Sequence, residues 1–321
     1  MSETDQALLR LHHCGFEYGD ALPNYGPMAV EALASLGHDA LISGLVDVYV
    51  PRLPSLADGR PLEEEQRKAA VGQFDRVTDW LASYELALRE SPWSEVLARA
   101  FAPEGEDLAA RPLALHALVR LGYAVRSLSR YDIPVRRREL AFGLAYVAAR
   151  SSPSGDGTAA GDSAQEWAAR VRGTEESGEA LGELISTLCL RGAESYLADL
   201  EQRTSRSHAV VASSAVRFLI PHLPSSVLKQ LLVNLVLQLG EVLPLQGRSR
   251  VAEESADAEV SRCAESASEI RYRAACSVHE HAIVMAEACL REETVRTHKT
   301  LLRAAADAAL RLSPPGYQEW R

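Results

Sequence analysis

Apolar residues recur at intervals of three and four along almost the whole chain, and strict alternation of apolar and polar residues is rare. That period predicts helices nearly everywhere. Asn24 is placed to cap a first helix with Pro27 in its opening turn and Gly37 as its stop. Asp39 is placed to cap the next, which ends before Pro51. Further helices fit 62–71, 75–90, 92–101, 112–129 and 134–150. A second series fits 164–172, 175–201, 208–219, 225–243, 251–264, 266–291 and 293–312. The strand-like run at 46–49 is absorbed by its helical neighbours. Between the two series, 151–162 reads SSPSGDGTAAGD, a loop by composition. The expectation is an all-α fold. Residues 1–321 form a single large multi-helix domain of roughly a dozen helices, with the loop on its surface.

The net charge is −10, so no Lys/Arg surplus exists to grip phosphates or an anionic lipid face. Neither a nucleic acid nor a membrane is an expected partner. The most apolar stretch, 231–245, carries Asn234, Gln238, Glu241 and Pro244 and is shorter than the roughly 20 residues of a span. Residues 1–20 show no basic region followed by an apolar run, so a cytoplasmic protein is expected. The five cysteines are scattered with no CxxC, which predicts neither disulfides nor a thiolate zinc site.

Several chemistries lack their motif. There is no phosphate-cradling GxxxxGK[ST], no GxSxG, and no Gly-rich strand-to-helix turn for a dinucleotide or flavin. His279-Glu280-His281 resembles a zincin only superficially, because residues two apart on a helix point about 200° apart.

What remains is imidazole and phenol. His116 lies in LALHALVRLGYAVRSL with Arg120 and Tyr123 on its helical stripe, either a satisfied core network or the wall of a site. His208 opens an apolar run as a helix-start residue. His281 opens another, with Val284, Met285 and Ala288 on its stripe. Tyr25, in Asn24-Tyr25-Gly26-Pro27-Met28, sits at a helix start, where an oxyanion is favoured. Three histidines within apolar helices suit metal binding or acid–base work.

Taken in order, these segments resemble the questin oxidase-like family over most of the chain. The resemblance rests on Phe16-Glu17-Tyr18-Gly19 with Asn24-Tyr25-Gly26-Pro27-Met28-Ala29, and on Trp93 in SPWSEVLAR. It continues through His116-Ala117-Leu118-Val119-Arg120 with Tyr123-Ala124-Val125-Arg126, and Glu139-Leu140-Ala141 with Gly143-Leu144-Ala145-Tyr146. It closes on His208-Ala209-Val210 and on His281-Ala282-Ile283 with Glu287-Ala288-Cys289. The resemblance implies an all-helical oxidoreductase of secondary metabolism. Such an enzyme oxygenates or cleaves a polycyclic aromatic polyketide or quinone without flavin, using dioxygen, with NADPH a candidate reductant. It implies iron held by several histidines and a carboxylated lysine. Here the family's histidines stand as Tyr25 and Tyr123 and its lysine as Val284, while His116, His208 and His281 match and are the expected metal ligands.

Three readings follow. The first is an iron oxygenase on His116, His208 and His281. The second is a metal-free enzyme for cyclisation, ring opening or rearrangement, using Tyr25, His116, Tyr123, His208 and His281. The third is a non-catalytic polyketide carrier. In each, Arg120, Met28 and Met285 are expected to touch a small hydrophobic aromatic ligand.

Overall fold

The computed structural model describes residues 1–103, 105–151, 161–199, 201–240, 242–243 and 258–312. Among the described residues it is 75% helical, with 16 α-helices and almost no strand, in one all-α body. The first group of helices is α1 (Glu3–Leu11), α2 (Gly26–Leu36), α3 (Ile42–Tyr49), α4 (Glu64–Ala70), α5 (Val77–Glu90), α6 (Trp93–Phe101), α7 (Leu115–Arg130) and α8 (Pro134–Arg150). The second group is α9 (Asp162–Gly173), α10 (Gly178–Ala198), α11 (Arg203–Val216), α12 (Ser225–Leu239), α13 (Ala258–Ala264), α14 (Ala267–Cys276), α15 (Glu280–Val295) and α16 (Lys299–Arg311). A two-residue hairpin pairs β1 (Glu17–Tyr18) with β2 (Leu22–Pro23). No helix among the described residues is long and apolar enough to cross a membrane. All five cysteines are free thiols.

Helices α2, α7, α11 and α15 pack as a closed ring: α2 on α7, α7 on α11, α11 on α15, and α15 back on α2. The others form a jacket, with α8 on α7, α5 on α8, α10 on α11 and α16 on α15. This explains why α7 and α15 are apolar on most faces: both are surrounded, and most of their side chains are buried. Residues 152–160, most of the expected loop, lie outside the described residues, as do 251–257 of one expected helix. Helices before and after that loop share the same ring.

Three local features differ from the periodicity reading. Helix α1 was not expected. Ser2 caps it, accepting from the Asp5 backbone N–H while the Asp5 carboxylate accepts from the Ser2 backbone. The helix expected at 266–291 is two helices, broken at Ser277, Val278 and His279, with Val278 at a left-handed φ of 53°. Neither Gly nor Pro marks that break, and a β-branched residue rarely adopts that φ, so periodicity runs through it. His208 sits in the second turn of α11 rather than opening it, because the helix begins at Arg203.

Gly122 sets how closely α7 approaches α11. A Cβ there would meet the Ala215 carbonyl oxygen at 2.6 Å. Alanine's helix propensity favours the substitution by about 1 kcal/mol. Overpacking against backbone costs about 1–3 kcal/mol and wins. Gly122→Ala is therefore expected to lower the unfolding free energy, whereas Gly44→Ala on α3, with no atom within 4 Å of the new Cβ, is expected to raise it. Urea unfolding of the two variants reads the opposite signs.

Candidate functional site

Each ring helix brings one ring-bearing side chain to the same end. Tyr25 is the N-cap residue of α2, His116 and His281 are second residues of α7 and α15, and His208 lies within two turns of the start of α11. The Asn24 side chain fixes the approach to α2, its amide donating to the Gly15 carbonyl and its oxygen accepting from the Gly26 N–H. The Tyr49 hydroxyl accepts from the Tyr25 backbone N–H at 2.8 Å.

The rings touch. His116 Nε2 and His208 Nε2 are 3.1 Å apart, so one is protonated and donates to the lone pair of the other. The Tyr25 ring lies 4.4 Å from His281 and 5.5 Å from His116, and His208 lies 5.7 Å from His281, centroid to centroid. Tyr25 is 1% exposed, and its buried hydroxyl has no hydrogen-bond partner. The three imidazoles are half-buried, so they form a rim above a buried phenol.

Burial governs the charge of the site. It depresses the His116 pKa to about 4. Burial, then the neighbouring His116, depresses His208 to about 3. His281 is held well below its usual value by burial and by His208 and His279. Burial also pushes the Tyr25 phenol far up. At neutral pH all four are uncharged. The N-termini of α2, α7 and α15 lie beside them, each presenting the positive end of its dipole, while the buried Glu280 carboxylate stands 3.9 Å from His281 Nδ1.

The rest of the expected site separates. Arg120 is wholly buried in a two-pronged pair with Glu139, whose other contact is His12 Nε2 at 2.9 Å. The Tyr123 hydroxyl donates to Glu287 at 2.7 Å, and Arg126 and Arg291 donate to the same carboxylate. Both residues are thus committed to buried ion networks, which corrects their expected roles in catalysis and substrate contact. His116, Arg120 and Tyr123 do share a stripe, but a rise of about 1.5 Å per residue puts them at three levels of the ring with three sets of neighbours. Met28 lines a small void with Arg120, Tyr123 and Glu139. Met285 is buried with its sulfur 4.0 Å from Cys289 Sγ, and Val284 is buried in the core.

The expected metal ligands are only partly brought together. Donors sharing one ion at about 2.0–2.2 Å each stand no more than about 4.4 Å apart. Among the described residues, the one trio of His, Cys, Asp or Glu side chains whose donor atoms all fall within 4.8 Å of each other is His279, Glu280 and His281. His116 and His208 are outside it: their Nε2 atoms lie 3.1 Å apart, but the three expected ligands do not all fall within 4.8 Å of one another. The supposed 200° divergence of His279 and His281 is overturned too. His279 precedes the helix as its extended N-cap residue, and its ring stacks on His281 at 5.4 Å. His279 and Glu280 therefore join the cluster unforeseen. The signal that could have found them is the helix break, which the residue types hide.

No family model matches the chain, and no curated protein matches it.

The depressed imidazoles have a consequence for stability. The unfolded chain takes up protons below about pH 6.5, whereas folded His116 does so only near pH 4. Stability is therefore full above pH 6.5 and is lost as the pH falls through that window. His116 alone accounts for about 2 kcal/mol between pH 7 and pH 5. Urea unfolding at those two pH values measures it, and an unchanged unfolding free energy would contradict buried, neutral imidazoles.

Proposed function

We propose that this chain is an acid–base enzyme that rearranges or opens a hydroxylated polycyclic aromatic or quinone substrate at the Tyr25, His116, His208 and His281 cluster. The reading keeps the substrate class implied by the resemblance to the questin oxidase-like family. It drops iron bound by His116, His208 and His281, since those donors do not gather around one ion. The observation that carries it is the His116–His208 contact at 3.1 Å, a ready proton relay, beside a phenol with no partner of its own.

In this mechanism a substrate hydroxyl gives its proton to an imidazole at the half-buried rim. The substrate oxyanion supplies the counter-charge that the cluster lacks, which raises the proton affinity of imidazoles that are weak bases when alone. The His116–His208 hydrogen bond passes the proton inward or returns it. The Tyr25 hydroxyl donates to a developing oxygen charge, and the N-termini of α2 and α7 stabilise it in a low-dielectric setting.

The test is turnover of a panel of hydroxyanthraquinones and related polycyclic phenols, followed by absorbance and product mass. Tyr25→Phe and His208→Ala are each expected to lower turnover by about 10²-fold or more while binding persists. Tight binding with no turnover by the unmodified chain would make it a carrier instead. Turnover that appears only after ferrous iron is loaded would restore the oxygenase reading.

A further inference from the structure

We infer that His279, Glu280 and His281 form a binding site for a divalent transition-metal ion at the start of α15, separate from the His116–His208 pair. Three donor atoms of types that bind such ions lie within 4.8 Å of one another, so an inward shift of a few tenths of an ångström would bring them onto one ion. Three buried polar atoms here also have no hydrogen-bond partner: His279 Nδ1, Glu280 Oε2 and His281 Nδ1. Buried polar atoms are almost always satisfied, and a set of adjacent exceptions calls for something that satisfies them together. The Glu280 side chain is only 4% exposed, and His279 is 8% exposed.

The donor chemistry points to a cation. An unpartnered carboxylate oxygen repels an anion. A neutral histidine protonated on Nε2 leaves its Nδ1 lone pair free to ligate. Two features oppose a cation. Arg52 reaches Glu280 Oε1 at 3.7 Å, and the positive end of the α15 dipole lies nearby. Arg52 engages the other carboxylate oxygen at a long distance and also donates to the Tyr18 hydroxyl. The dipole is a partial charge set against a full carboxylate.

Three protein donors leave coordination positions for water or a substrate oxygen. The ion would stand beside Tyr25, whose ring lies 4.4 Å from that of His281. Metal uptake needs no substrate, so this inference stands or falls apart from the proposed reaction.

The experiment uses the full chain, stripped with a chelator and titrated with Co²⁺ while the visible ligand-field bands are recorded. Zn²⁺ uptake is then counted by elemental analysis after dialysis. One ion per chain is expected, with Co²⁺ bands reporting nitrogen and oxygen donors. His279→Ala and Glu280→Gln should each weaken Co²⁺ binding at least about tenfold, whereas His116→Ala and His208→Ala should leave the stoichiometry unchanged. Far-UV circular dichroism of each variant checks that it is folded. No stoichiometric uptake by the unmodified chain overturns the inference whatever the variants do. So does uptake that survives both His279→Ala and Glu280→Gln, or that is abolished by His116→Ala.

Discussion

The fold hangs on one buried carboxylate. Glu287 on α15 accepts from Arg126 and Tyr123 on α7, from Arg291 one turn along its own helix, and from Ser35 on α2. Arg126 also donates to Glu31 on α2, so the network stitches three of the four ring helices together. Burial alone would raise the pKa of Glu287. Arg126 and Arg291 instead hold it well below the usual carboxylate range, so it stays ionised. A charge of this kind adds little net stability over an apolar substitute, but removing one partner strands the others at about 3–5 kcal/mol. What it contributes is register, because only one rotation of α2, α7 and α15 brings all these groups together.

That register is what makes the opposite end of the ring possible. The three helices that join around Glu287, with α11 packed against α7 and α15, place Tyr25, His116, His208 and His281 together toward their starts. The two ends are electrostatic opposites. One is full of compensated charge and closed to titration, and the other is a half-buried cluster of uncharged rings set at the helix starts. A second buried network, His12–Glu139–Arg120, with His12 stacked on Phe142, fastens α1 and α8 to α7 and stiffens the ring from outside.

Much of this was legible in the sequence. The span of α8 is read in full, since Pro134 opens it and the apolar stripe runs unbroken to Arg150. Gly37 ends α2 in the left-handed conformation expected of a glycine stop. Tyr25, His116, His208 and His281 stand out as polar rings in apolar helices, and they meet. Arg120 and Tyr123 were misassigned because periodicity gives the face of a helix but not the level at which a partner waits. The partners Glu139 and Glu287 lie 19 and 164 residues away along the chain. Helix α1 was missed because one capping box and two turns give a weak periodic signal.

The break before α15 carries a meaning beyond local geometry. A continuous helix would hold His279 and His281 on opposite sides, so their stacking depends on Val278, a residue that touches neither metal chemistry nor proton transfer. The pairing is thus encoded in a backbone angle rather than in the histidines themselves. A descendant chain could keep all three of His279, Glu280 and His281 and still lose their cooperation, through a single change at 277 or 278 that lets the two helices fuse. Inspection of ligand residues alone would then credit that descendant with a site it no longer has.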